Sequence, residues 1–201
     1  MSKENTAAVQ PKAKITLDPR FTAKLTLTLM GICAVVALLL GIVNNMTEPI
    51  IEEIQAEKTA AAMSQVLPAD NYEKVETTYP NVTALHKAMS GGEQVGYVVE
   101  VTASGFGGTL SMVVGVDMDG AVTGVSVTDN SETANIGTKV VNDQSVLDRF
   151  IGKSHADGEI TVNSGSNRFD GVSGATVSSK GVTAGVNTAL SAVAEQEGGE
   201  A

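Results

Sequence analysis

A run of small and hydroxyl-bearing residues near the C-terminus has the chemistry of an anion site. Residues 170–176 read DGVSGAT and lead into an Ala-, Val- and Ser-rich segment with the composition of a helix. The first amide groups of a helix have no intrahelical partner and carry the positive end of its dipole, so they attract phosphate. Gly174 and Ala175 would let the backbone approach such a ligand, and Ser173 and Thr176 add hydroxyl groups.

The same segment also fits a purely structural interpretation. Asp170 and Ser173 have side chains that commonly cap turns and helices, and small residues are frequent where helices begin. Neither the GxxxxGK[ST] phosphate loop nor the dinucleotide GxGxxG motif opens this helix. A hydrolase is disfavoured, because no G-x-S-x-G elbow surrounds Ser173 or Ser178. From the residues alone, a phosphate site and a structural cap both stay open.

Residues 25–43 form an uncharged apolar segment of nineteen residues that predicts a transmembrane helix. At 1.5 Å per residue it approaches the roughly 30 Å thickness of the hydrocarbon layer. A cleaved signal peptide is the alternative, but the run exceeds the usual core of about 7 to 15 residues, and no small-x-small cleavage site follows. Five basic and two acidic residues precede it, which predicts that residues 1–24 are a cytoplasmic tail.

The chain beyond residue 43 is acidic and poor in metal ligands. It has 21 acidic and 8 basic residues, a balance that disfavours a nucleic-acid partner. One cysteine, Cys33, and two well-separated histidines, His86 and His155, are too few for an iron–sulfur cluster or a structural zinc site. We therefore predict no metal site.

Alternating apolar residues predict an antiparallel sheet in the C-terminal body. Three runs have this pattern, at residues 96–103, 109–118 and 121–129. Asp119 and Gly120 are a hairpin signal between the second run and the third. We expect an α+β fold: one N-terminal transmembrane helix, then an extracytoplasmic domain with an antiparallel sheet and flanking helices.

Helical spacing predicts the remaining elements. Apolar positions after Pro49 recur at loosely helical spacing, and residues 144–153 predict a short amphipathic helix. Residues 177–195 predict a longer helix, in which Gly181 and Gly185 would permit close packing against a sheet or ligand. The predicted parts follow one another along the chain: the cytoplasmic tail (1–24), the transmembrane helix (25–43), a helical connector (44–90), a folded domain (91–195) and a disordered tail (196–201).

DGVSGAT resembles the flavinylation motif Asp-x-x-Ser/Thr-Gly-Ala-Thr of the FMN-binding domains in respiratory flavoproteins, and every fixed position is filled. In that family a dedicated FMN transferase joins the closing threonine to the phosphate of flavin mononucleotide (FMN). The resemblance implies covalent FMN on Thr176 and an FMN-binding domain at residues 91–195. It also implies cofactor contacts from the neighbouring residues Ser173, Gly174, Ala175 and Val177.

The resemblance extends over residues 25–194. The single anchor, GFGGTLSMVVGVDMDGAVTGVSV, SETANIGTKV and SGAT follow one another in an order similar to the G subunits of Rnf complexes. That family usually reads ETPGLG where this chain has ETANIG at residues 132–137, which leaves the shape of the loop open. The resemblance implies that Glu132 and Thr133 lie near the flavin, and an exposed acidic loop is the alternative.

The resemblance implies an electron-transfer subunit that is not catalytic alone. We expect FMN on Thr176 to pass electrons within a ferredoxin:NAD+ oxidoreductase that translocates Na+ or H+. Expected partners are the membrane, the other membrane, cluster and flavin subunits of the complex, and the FMN transferase. The expected location is the bacterial inner membrane, single-pass, with the N-terminus inside. The alternatives are a C subunit of a sodium-pumping NADH:quinone reductase and an anchored surface module without flavin.

Overall fold

The computed structural model describes residues 18–199, which separate into two units between Ile51 and Glu52. A long helix, α1 (Pro19–Val66), begins in the first unit and ends in the second. Asp18 caps its start, because its carboxylate accepts from the Arg20 amide at 3.0 Å. The helix therefore begins within the predicted tail, and residues 1–17 of that tail lie outside the described residues.

The described part of the first unit contains the apolar stretch of α1. Its most apolar window has a mean hydropathy of 2.6 and is 0% buried, so large side chains such as Leu29 and Leu38 face outward. Within residues 18–199, α1 is the one helix long and apolar enough to cross a membrane. Such full exposure of apolar side chains suits hydrocarbon and not water.

In the second unit, the last turns of α1 pack on one face of the sheet. Val66 lies over two glycines, Gly115 and Gly124, which face each other on adjacent strands. A Cβ on Gly124 would lie 2.9 Å from Val66 Cα, and a Cβ on Gly115 would lie 2.7 Å from the Val66 carbonyl oxygen. Neither position therefore has space for a side chain. Thr123 Oγ1 also donates to the Val66 carbonyl at 2.7 Å.

The sheet has five antiparallel strands, each paired with its neighbour in sequence. They are β1 (Asn71–Val75), β2 (Val82–Ser90), β3 (Glu93–Ser104), β4 (Thr109–Asp117) and β5 (Val122–Asn130). The three predicted runs are β3, β4 and β5, so the antiparallel sheet is confirmed. The predicted hairpin is confirmed too: Gly120 has φ +74° and donates to the Asp117 carbonyl at 3.1 Å.

The helical connector predicted for residues 44–90 is wrong beyond Val66, because β1 and β2 occupy most of the remainder. β2 is covered on both faces: Leu85 joins the main core, and Ala88 packs on the α1 side. A strand buried on both faces loses the alternation of apolar and polar residues that marks a half-buried strand. β1 is an edge strand of mostly exposed residues, so it lacks an apolar pattern as well.

Short elements follow the sheet and lead to a final helix. They are α2 (Thr138–Val141), α3 (Gln144–Leu147), 3-10 turns at Asp148–Phe150 and His155–Asp157, the parallel pair β6 (Thr161–Val162) and β7 (Arg168–Phe169), and α4 (Thr176–Gly199). The amphipathic helix predicted at residues 144–153 is therefore a single α turn followed by a 3-10 turn. Asp143 begins it, since its carboxylate accepts from the Ser145 amide.

α4 packs on the sheet face opposite α1, where the main core lies. Val182 and Val186 of α4 are fully buried against Val99 and Met112 of the sheet. A Cβ on Gly181 would lie 2.5 Å from the Ser104 carbonyl oxygen, which confirms its predicted role in close packing.

The disordered tail predicted from residue 196 is wrong as far as Gly199, where α4 ends. Glu195 to Glu197 are good helix formers that extend the ladder of backbone bonds, and Gly198 and Gly199 then weaken it. Residues 200 and 201 lie outside the described residues.

Candidate functional site

Thr176 is the first residue of α4 and follows a tight turn. The Ala175 amide donates to the Val172 carbonyl at 3.0 Å, and Gly174 has φ +81°, as the third position of a type II turn requires. We call residues 171–175 the Thr176 turn. It leaves the Thr176 side chain exposed at the helix entrance.

The entrance of α4 has no side-chain cap. Ala175 precedes the helix, and its carbonyl accepts from the Ser179 amide at 2.9 Å, but its methyl group accepts nothing. The Asp170 carboxylate instead pairs with Arg168 at 2.8 Å. Within residues 18–199, no hydrogen bond joins Ser173 to the helix. Neither side chain therefore caps the helix, and the amides of residues 176–178 have no intrahelical partner.

Three hydrogen bonds fix the Thr176 turn to its surroundings. Arg149 Nη1 donates to the Asp170 carbonyl at 2.8 Å, and the Gly171 amide donates to Asn163 Oδ1 at 2.9 Å. The Val172 amide donates to the buried Ser179 hydroxyl at 3.2 Å. The backbone that presents Thr176 is thus held before any ligand arrives.

A cavity of about 320 Å³, which we call the Thr176 cavity, opens at this entrance. Its lining residues are Phe106, Ile136, Gly174, Ala175, Thr176, Val177 and Ser178. Phe106, Ile136 and Val177 are 64%, 46% and 50% exposed, which is unusual for large apolar side chains gathered in one place. Its volume lies at the lower end of small-molecule sites, and its apolar walls suit a flat aromatic ligand.

Glu132 lies behind the cavity wall, and its carboxylate bonds to backbone amides. Phe106 donates to Oε1 at 2.9 Å, and Gly107 and Thr133 each donate to Oε2 at 3.3 Å. Burial alone would raise the pKa of Glu132. The nearby Ser178 hydroxyl and these three amides outweigh burial and lower that pKa. The Ser178 hydroxyl lies beside the carboxylate without the geometry of a regular hydrogen bond within the described chain.

The loop after Glu132 forms a turn at the positions where its sequence departs from the family pattern. Asn135 stands where the family usually has glycine, and its φ of +61° is a conformation that asparagine tolerates better than most residues. The Thr133 carbonyl accepts from the Ile136 amide at 3.2 Å, which turns Ile136 toward the cavity. Thr133 itself is exposed and does not line the cavity.

The structure thus gathers some of the predicted site residues and not others. Gly174, Ala175, Thr176 and Val177 line the Thr176 cavity, whereas Ser173, Glu132 and Thr133 do not. Sequence reasoning missed Phe106 and Ile136. A signal existed for Phe106, because an aromatic residue within a turn of three glycines has little chance of burial.

A second cavity of similar size, about 330 Å³, lies beside the middle of α4. It is lined by Asn81, Thr102, Ala103, Ser104, Thr109, Ala184 and Thr188. These side chains are uncharged, and no helix entrance contributes free amides there. The Thr176 cavity is therefore the better phosphate site.

Comparison with known proteins first gives the class of the domain. The family described as FMN-binding domain matches residues 105–191. This range contains the turn with Phe106, the Glu132 loop and the Thr176 turn. All the elements around the Thr176 cavity therefore belong to the part of the chain that this family describes.

Full-length relatives then give the family. The chain is 31% identical over 204 residues to the G subunit of the Na(+)-translocating ferredoxin:NAD(+) oxidoreductase complex of Acetobacterium woodii, covering 90% of this chain and 96% of that protein. It is 32% identical over 189 residues to the G subunit of the ion-translocating oxidoreductase complex of Methanosarcina acetivorans, covering 90% and 99%. The chain belongs to this family of G subunits, as the sequence resemblance predicts.

Among solved structures, the chain is similar to the C subunit of the Na(+)-translocating NADH-quinone reductase from Parabacteroides distasonis. The identity is 24% and the TM-score 0.46, over 54% of this chain and 59% of that chain.

Proposed function

We propose that this protein is the electron-transfer subunit of an Rnf-type ion-translocating ferredoxin:NAD+ oxidoreductase, with FMN esterified through its phosphate to Thr176. One observation carries the proposal. The exposed Thr176 hydroxyl stands at an uncapped helix entrance and lines a cavity with apolar walls. The chain around it is related over 90% of its length to G subunits.

The residues present fit the chemical parts of FMN. The free amides of residues 176–178 offer donors to a phosphate, and the missing side chain of Gly174 keeps the approach open, with nothing within 4 Å of a Cβ placed there. Phe106, Ile136 and Val177 would flank the aromatic ring and exclude water from its faces. Bound FMN supplies one- and two-electron transfer, and the protein supplies position and environment.

A covalent bond suits the proposed location of the domain. The basic N-terminal segment supports a cytoplasmic position for the N-terminus. With a single transmembrane helix, the FMN-binding domain would then lie on the outer side of the membrane. A reversibly bound cofactor lost there would be hard to replace. An ester bond to Thr176 would retain it.

The proposal requires partners. Residues 18–199 contain one candidate span, and the sequence has no nicotinamide fingerprint, which supports assigning ferredoxin oxidation, NAD+ reduction and ion transport to the other subunits of the complex. A dedicated FMN transferase would form the ester at Thr176.

Ferredoxin-dependent NAD+ reduction in membranes tests the function. Thr176→Val keeps the shape of the side chain and removes the hydroxyl, whereas Thr176→Ser keeps a hydroxyl. We expect the rate to fall to background in Thr176→Val, with the complex still assembled, and to be retained at least in part in Thr176→Ser. A Thr176→Val complex that works at the wild-type rate would contradict the proposal.

A further inference from the structure

The turn at residues 105–108 has little rigidity of its own, yet it carries a wall of the Thr176 cavity. Phe106 projects from it and is 64% exposed. One backbone bond closes the turn, from the Gly105 amide to the Gly108 carbonyl at 2.8 Å. Three of its four residues are glycine, which leaves the isolated turn many accessible conformations. Another part of the chain must therefore hold Phe106 in place.

The Glu132 carboxylate holds the turn through hydrogen bonds. Its oxygens accept from the Phe106 amide at 2.9 Å and from the Gly107 amide at 3.3 Å, across more than twenty residues of sequence. Hydrogen bonds from backbone amides to a charged acceptor are stronger than those to a neutral one. We call the Glu132 carboxylate with the amides of Phe106, Gly107 and Thr133 the Glu132 clamp.

Glycine backbone packs closely against the Glu132 clamp. A Cβ on Gly105 or Gly137 would overlap the Glu132 carboxylate, and a Cβ on Gly107 would overlap the Ser131 carbonyl. Glycine backbone thus lies close to the carboxylate at two positions, Gly105 and Gly137. Rotation of the side chain toward the cavity would break its bonds to the turn.

We infer that Glu132 is a positioning residue for the FMN site, which fixes the turn at residues 105–108 and so holds Phe106 beside Thr176. The inference rests on the proposed function. Glu132 would not touch FMN in the Thr176 cavity, because its oxygens accept from backbone amides and it does not line that cavity. It acts through Phe106.

Amide exchange in the full-length protein, purified without flavin from a host that lacks the transferase, tests the clamp itself. Glu132→Gln keeps the volume but replaces one oxygen with an NH₂ group, which would face N–H donors. We expect exchange of the Phe106 and Gly107 amides to accelerate about tenfold or more. Glu93→Gln, at the opposite end of β3, is the matched control and should leave both amides unchanged. Unchanged exchange in Glu132→Gln would overturn the inference.

Flavin fluorescence in the modified protein tests the route through Phe106. Glu132→Gln should lower the fluorescence anisotropy and raise quenching by iodide, and Phe106→Ala should do the same. The double variant should show little further change, because both substitutions remove the same contact between Phe106 and the flavin. Fully additive changes would mean that Glu132 acts on the flavin directly and would overturn the inference. A wild-type chain without flavin would overturn the proposed function, while amide exchange would still decide whether Glu132 holds the turn.

Discussion

Two pieces of backbone border the Thr176 cavity, and they are held in different ways. The Thr176 turn is held by one bond of its own, from the Ala175 amide to the Val172 carbonyl, and by residues within eight positions, because the Gly171 and Val172 amides donate to Asn163 and Ser179. The turn that carries Phe106 depends on Glu132, 26 residues away in sequence. The site therefore joins a part held by nearby residues, which presents the Thr176 hydroxyl, to a part whose shape depends on a residue far away in sequence.

The largest loss of stability is expected at Gly107, where the turn that carries Phe106 packs against the backbone of Ser131 and Glu132. In Gly107→Ala the new Cβ would meet the Ser131 carbonyl and lie 3.0 Å from Glu132 Cα, both of which are backbone. We expect a loss of about 2 to 3 kcal/mol in the free energy of unfolding, measured by urea titration. Gly198→Ala, where nothing lies within 4 Å, should be neutral or slightly stabilising. Equal effects of the two substitutions would contradict the tight clamp.

The Thr176 turn should respond to backbone strain and not to crowding. Gly174 has φ +81° and open space around it, so Gly174→Ala should cost about 1 to 2 kcal/mol from conformation alone. Gly120→Ala is a matched control, since Gly120 has φ +74° and equally open space in a distant hairpin. Both should lose similar stability, but only Gly174→Ala should lower the fraction of protein that carries flavin. A loss of flavin in both would mean that global stability controls attachment.

A smaller effect is expected from the bond that anchors the Thr176 turn to α4. Ser179→Ala removes the acceptor of the Val172 amide and should cost about 1 kcal/mol by thermal or urea unfolding. Ser191→Ala, farther along the same helix, should cost less. If the two variants unfold alike, the Ser179 bond does not hold the turn.

The smallest expected effect is a pH dependence of the clamp. Since the pKa of Glu132 is lowered from an ordinary value of 4.5, its stabilisation is present above about pH 4.5 and is lost as the pH falls through the folded pKa. The stability difference between wild type and Glu132→Gln should be constant near neutrality and shrink in acid. Hydrogen bonds from Ser145 lower the pKa of Asp143, so the stability difference between wild type and Asp143→Asn should also shrink in acid. Asp143→Asn should leave the flavin fluorescence unchanged. A difference that grows in acid would contradict the clamp.

The same contrast explains what the sequence predicts and what it misses. The Thr176 turn and the Asp119-Gly120 hairpin are local, and turn chemistry identifies both. β2 escapes detection because Leu85 and Ala88 are buried on opposite faces, a situation that only the finished fold creates. The position of Glu132 near the site follows from the resemblance, but its bond to Phe106 depends on two loops that meet only after β3, β4 and β5 have paired.

The intact mass of the native, membrane-extracted protein, measured beside that of Thr176→Val, shows whether Thr176 carries FMN. We predict a wild-type mass higher than that of the bare chain by one FMN less one water, and a Thr176→Val chain at its bare mass. An unmodified native chain, or the same added mass in Thr176→Val, would contradict the assignment of FMN to Thr176.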